Sequence, residues 1–143
     1  MALTLRFLHV LGALTWIGGM LFIALVFVPV ARGLNDPPLR ARLFHAAGVR
    51  FRAVGWVALG VLLLTGLGNL WLRPYLLELP RFQAKLGFVV LALALSAVHD
   101  FFIGPRAGLP GADPRLRVWA SWLGRITLIL VLVVVLLGLA LRG

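Results

Sequence analysis

The sequence predicts an all-α integral membrane protein: four transmembrane helices in an antiparallel up-down bundle, one four-span domain over residues 1–143, with both termini on the same side. Three observations predict it. Of the 143 residues, 62% are hydrophobic and 13% charged, with a mean hydropathy of +1.07, whereas a soluble domain is about 45–50% apolar and about 25% charged. A 15.6 kDa chain cannot hide that excess in one core. Four apolar runs of helix length are marked off by charges, and the links between them carry basic residues and turn formers. At about 20 residues per span, four spans use about 80 residues and leave no room for a separate soluble domain.

The first span is expected over about residues 7–31, uninterrupted by charge. It is too long for the apolar core of a signal peptide, lacks a small-x-small cleavage pattern before Arg32, and is expected to be retained. Gly33 to Pro38 (GLNDPP) breaks it and starts the next helix, with Asp36 as N-cap before the proline pair. Residues 39–52 (LRARLFHAAGVRFR) read as a basic amphipathic lead into a second span over about 53–72. Pro74 to Pro80 forms the second link, and the third span covers about 86–103. Gly104 to Pro114 (GPRAGLPGADP) is too rich in Gly and Pro for a helix. The fourth span runs over about 118–141, with a wetter, Trp-bearing start. Irregular backbone inside lipid is too costly to interrupt any of these runs. No repeat of fixed period is visible, although the first two spans compare with the last two as a weak duplicated hairpin.

Fourteen Lys and Arg stand against four acids, a formal net charge of +10. Such a balance suits nucleic acid or an anionic surface, and the placement of the basic residues between apolar runs selects the membrane and excludes nucleic acid. Links 1 and 3 hold Arg32, Arg40, Arg42, Arg50, Arg52, Arg106, Arg115, Arg117 and Arg125; the other side holds Arg6, Arg73, Arg81, Lys85 and Arg142. The positive-inside rule then puts links 1 and 3 in the cytoplasm and both termini outside. With no cysteine there is no disulfide, thiolate metal site or thiol redox couple.

This topology sorts the polar residues by depth. His9, Asn69 and Lys85 fall near the outer ends of the first three spans; His45, His99 and Asp100 fall on the inner side. Ionisable groups in spans are costly and face the bundle interior or a cavity, which makes two candidate sites, one per leaflet. On the third span Lys85, Val89, Ala92, Ser96 and His99 share a helical face. On the first, His9, Gly12, Ala13, Trp16 and Gly19 do so; on the second, Gly55, Leu59, Leu62, Gly66 and Asn69. Small residues on these faces serve either close helix packing or a planar cofactor.

Plain structural roles account for part of this pattern. Lys85 at a helix end can snorkel to the headgroups, and His9 there can cap or face water. The tryptophans at 16, 56, 71, 119 and 122 form an aromatic belt, with Trp16 and Trp56 deeper and suited to packing. The inner arginines read as topology signal and lipid contact. His45 lies in a link and is expected to be solvated, whereas Asp100 next to His99 is placed to orient its ring. Ser96, His99 and Asp100 do not form a hydrolase arrangement, because Asp100 lies about 100° round the helix from His99 and no oxyanion donors accompany it.

The remaining chemistry is that of His and Lys. Copper(I) prefers soft thiolate and thioether ligands, and the chain has only Met1 and Met20. Haem needs an axial nitrogen, an apolar slot and cations for its propionates. His9 supplies the nitrogen, Lys85 a second ligand if neutral, and Arg6, Arg73 or Arg81 the cations.

The stretch HVLGALTWIGGMLFIALVFVP (His9 to Pro29), RFRAVGWVALGVLLLTG (Arg50 to Gly66) and HDFFIGPR (His99 to Arg106) resemble the membrane domain of the copper-resistance-D (CopD-type) family over nearly the whole chain. That resemblance implies copper handling at the bacterial inner membrane, usually within an eight-span protein, of which this chain would be the bare four-span domain. The pattern His9, Trp16, Gly18, Gly19 with Lys85 and His99 is more distantly similar to the HemJ-type protoporphyrinogen oxidases. There the resemblance implies a haem b site using a first-helix His and a third-helix Lys. The acidic, asparagine-rich motif of that family's last helix has no counterpart in this chain.

Three functional expectations follow. The first is a b-type haem protein for electron transfer or porphyrin or quinol oxidation, with His9 as axial ligand, Lys85 as second ligand or catalytic proton carrier, and Trp16, Asn69 and His99 lining cofactor. The second is copper transport or resistance, with His9, His45 and His99 as successive metal contacts. The third is a cofactor-free assembly partner, with small-residue faces for helix association. Independently of these, a small-residue face drawn from Gly12, Gly19, Gly60 and Gly66 offers a homodimer contact.

Overall fold

A computed structural model describes residues 2–109 and 111–141. Arg142, which entered the charge comparison, and Met1 lie outside the described residues, as does Pro110 of the third link. The described residues are helical, with no strand among them, and include four helices long and apolar enough to cross a membrane: Ala2–Arg32, Pro37–Trp71, Pro80–Ala107 and Pro114–Ala140. The chain divides into two compact units, Met1–Pro74 and Tyr75–Gly143.

In the first unit, α1 (Ala2–Phe22) passes through a π-helical segment, Ile23–Phe27, into the short α2 (Val28–Arg32). The π turn has a visible cause in Pro29, which lacks an N–H and whose ring collides with the carbonyl four residues back in a regular helix. Widening the turn relieves the clash, and the last π hydrogen bond runs from the Val28 amide to the Ile23 carbonyl, just before the proline. The helix ends at Gly33, and Asp36 caps α3 (Pro37–Trp71), its side chain accepting from the Leu39 amide at 2.9 Å. Asp36 and Pro37 thus act as the sequence indicates. The helix begins at Pro37, however, well before the expected 53. The basic lead 39–52 continues the same rod because nothing after Pro38 breaks it, and His45 therefore lies within α3 rather than in a link.

α1 and α3 pack as an antiparallel pair through small residues. Trp16, only 8% exposed, lies against Gly55. Gly12 meets the Ala58 carbonyl so closely that a Cβ there would come within 3.2 Å of it, and Gly19 sits under the Phe51 ring. Phe27 and Phe44 pack edge to face with centroids 5.5 Å apart. Between two helices this core is narrow, and large apolar side chains such as Leu14, Leu64 and Leu67 stay exposed, as a lipid-facing surface requires.

The second unit opens within a 3-10 turn, Pro74–Glu78. Here α4 (Pro80–Ala97) runs into a π segment, Val98–Ile103, and then α5 (Gly104–Ala107). The device of the first unit recurs: the Gly104 amide bonds the His99 carbonyl immediately before Pro105. Gly104 is required there, since a Cβ would stand 2.9 Å from that carbonyl oxygen. The Gly and Pro content of 104–114 predicts no helix there, but Gly104–Ala107 is helical. Pro105 occupies a first-turn position, where a missing N–H costs nothing. The break falls instead after Gly108, with Gly111 at φ +77°. Asp113 then caps α6 (Pro114–Ala140), accepting from the Arg115 amide at 2.8 Å. Phe82, Ala92 and Ser96 of α4 and Thr127 and Val131 of α6 are buried.

Each unit therefore repeats one order of devices: a span, a π segment closed before a proline, a glycine, an Asp-Pro cap and a second span. The weak duplicated hairpin visible in the sequence is a structural one.

Candidate functional site

The polar groups inside the first unit form a chain anchored on α3. The Thr65 hydroxyl donates its one proton to the Val61 carbonyl at 2.6 Å, as helical threonines do. Its oxygen also lies 2.9 Å from His9 Nδ1, within hydrogen-bond distance. With the hydroxyl proton on Val61, this contact suits a neutral ring that carries its proton on Nδ1 and its lone pair on Nε2. Thr65 is itself 5% exposed, so the acceptor is shielded from competing water. Gly66 lies beside the ring, where a Cβ would be 3.5 Å from His9 Cε1. One turn on, the Asn69 side-chain amide donates to the Thr65 carbonyl at 2.8 Å, which ties it to its own helix.

His9, Asn69 and Trp16 thus belong to the same unit, as their shared faces indicate. His9 and Asn69 both bond to residue 65, one to its hydroxyl and one to its backbone, while Trp16 serves the packing on Gly55. Thr65 was missed in the sequence reading. The signal available was its spacing one turn before Asn69 and next to Gly66, but a lone threonine in a span is indistinguishable from a packing residue until its partner helix is known. His45 is exposed on α3.

In the second unit Lys85 reaches α6. Its Nζ lies 3.4 Å from the point where a Cβ on Gly138 would stand, so the missing side chain is what admits the ammonium to the last turn of that helix. The C-terminal turn is the negative pole of the helix and favours a cation. His99 Nδ1 and Asp100 Oδ1 are 2.9 Å apart, with side chains 33% and 26% exposed. Sequence reasoning expected Asp100 to orient the ring, and it does, through adjacent residues in the widened π turn. Arg106 donates to the Phe102 carbonyl of the same segment at 3.1 Å.

His9 and Lys85 occupy matching places: each stands twenty residues before the proline that follows its π segment, and each faces a glycine on the second helix of its own unit. Among the described residues no three His, Cys, Asp or Glu side chains gather into a metal-binding group. The chemistry on offer is one oriented imidazole in the first unit, and a seated ammonium and an Asp-oriented imidazole in the second.

Fold and polar residues together define a polytopic helical membrane protein with a few nitrogen side chains in its spans. A family model, copper resistance protein D, matches residues 45–141, and the chain belongs to that CopD family. The match contains His45, Lys85 and His99, while His9 precedes it. An uncharacterized protein of Aquifex aeolicus (strain VF5) is 38% identical over 140 residues, 95% of this chain and 92% of that protein. No solved structure matches.

Proposed function

We propose that this CopD family protein binds b-type haem in its first unit, with His9 as the axial ligand, and acts in electron transfer or in quinol or porphyrin oxidation. The observation that carries the reading is the Thr65 to His9 hydrogen bond. A ligating histidine needs its second nitrogen held by an acceptor, which fixes the tautomer and raises the basicity of the ligating one, and Thr65 supplies that hold. One imidazole can hold a macrocycle, which does not require the three-residue cluster that a protein metal centre does. When bound, the group would supply one-electron chemistry. The chain's own part is to hold Nε2 in its basic form and to exclude water by Trp16 packing.

The family match favours a second reading, copper handling, in which His9, His45 and His99 contact the ion in turn as cargo. Soft ligands are few, with no cysteine and two methionines in the sequence, so these contacts would be imidazole alone. The test is a reduced-minus-oxidised spectrum of the protein purified in mild detergent, with metal content on the same sample and His9→Ala alongside. Sharp b-type bands lost in His9→Ala support the haem reading. A colourless protein carrying stoichiometric copper overturns it in favour of copper handling, and one carrying neither leaves the assembly partner of the third expectation.

A further inference from the structure

At the entry of α4 and the exit of α6 the second unit has a cavity of about 340 Å³, lined by Leu79, Pro80, Arg81, Ala140 and Leu141. That volume falls at the lower end of the ~300–1,000 Å³ of small-molecule pockets. Four of the five lining residues are apolar and the fifth is a cation. The Arg81 side chain is exposed and makes no hydrogen bond or ion pair with any described residue. Lys85 follows one turn further along α4, its ammonium against Gly138. Among the described residues no acid lines the cavity. The nearest acid in sequence, Glu78, is exposed on the preceding turn and pairs with no described residue. The cavity lies at the ends of two helices long and apolar enough to cross a membrane, and the ends of spans are where headgroups meet acyl chains.

We propose that this cavity is a binding site for a net-negative phospholipid, with Arg81 pairing the headgroup phosphate and Leu79, Pro80, Ala140 and Leu141 receiving the start of its apolar portion. Charge complementarity selects the occupant: an arginine matches a phosphate in a bidentate fork, and a second cation a turn deeper adds to the attraction for negative charge. A zwitterionic lipid brings its own cation to the same place and gains less. The site is independent of any cofactor in the first unit.

The test is lipid retention by the full chain, taken from mixed phosphatidylglycerol and phosphatidylcholine vesicles into mild detergent and weighed by native mass spectrometry. The wild type is expected to retain phosphatidylglycerol preferentially. Arg81→Gln should cut that preference about fivefold, the effect of about one interfacial cation. Ala140→Phe, which fills the cavity and leaves every charge in place, should also lower it. Equal retention of the two lipids or no effect of Ala140→Phe would overturn the proposal. So would displacement of the lipid by millimolar inorganic phosphate, which would make this a site for free anions.

Discussion

The two units are built to one plan and are equipped differently. Both close a π turn ahead of a proline and both restart on an Asp-Pro cap. Each carries one fully enclosed threonine on its second helix, Thr65 at 5% exposure and Thr127 at 3%. Thr65 is bonded on both sides, to Val61 and to His9, whereas the Thr127 hydroxyl has no partner among the described residues. The repeated scaffold accounts for the fold, and what differs between the copies is where chemistry is to be sought.

The largest contrast comes from changing both threonines alike. Thr65→Val removes the acceptor that orients His9 and, on the haem reading, should weaken cofactor binding by about ten- to a hundredfold, read by haem titration, with Thr65→Ser restoring it. Retained affinity in Thr65→Val would show that His9 is held by something else. Next comes a pair of glycines. Gly12→Ala should destabilise by about 1–3 kcal/mol, because its Cβ meets backbone at Ala58 that cannot give way. Gly87→Ala on α4, where nothing lies within 4 Å, should stabilise by about 0.5–1 kcal/mol. Thermal unfolding in detergent compares the two, and a similar loss for both would sink the close-packing account of α1 and α3.

Asp36→Ala and Asp113→Ala should each cost about 1 kcal/mol, and by closely similar amounts if the caps are equivalent copies. The smallest effect belongs to Thr127→Val. Replacing an unpartnered buried hydroxyl with an isosteric apolar group should be neutral or slightly stabilising, and a clear loss of stability would mean that Thr127 has acquired a partner, such as a bound water.

Much of this was legible in the chain. The four spans, the Asp36 cap with its prolines and the faces bearing His9, Trp16 and Gly55 follow from hydropathy, turn chemistry and helical spacing, which depend only on local order. The extent of the helices was less legible. Arg40 to Arg52 looked like a separate interfacial lead because charge marks a membrane boundary, yet a helix continues past that boundary into water. Gly104 to Ala107 was read as irregular because proline and glycine usually break helices, and a π turn that absorbs the proline has no signature of its own. Thr65 was invisible because its importance lies in a partner 56 residues away. The family was legible from motifs spread along the chain, while the cofactor was not, since one imidazole serves several metals.

The π segments also bear on how the protein tolerates change in length. Each inserts an extra residue into one turn, and a residue in an α-helix is worth about 100° of rotation about the axis. Deleting one residue between Ile23 and Phe27 would therefore leave the composition of the span almost untouched, yet turn the segment carrying His9 by about a quarter of a revolution against the segment carrying Pro29. The wide turn acts as a phase adjuster on a screw, setting which way the upper half of the helix looks while its lower half stays fixed by the proline and the cap that follows.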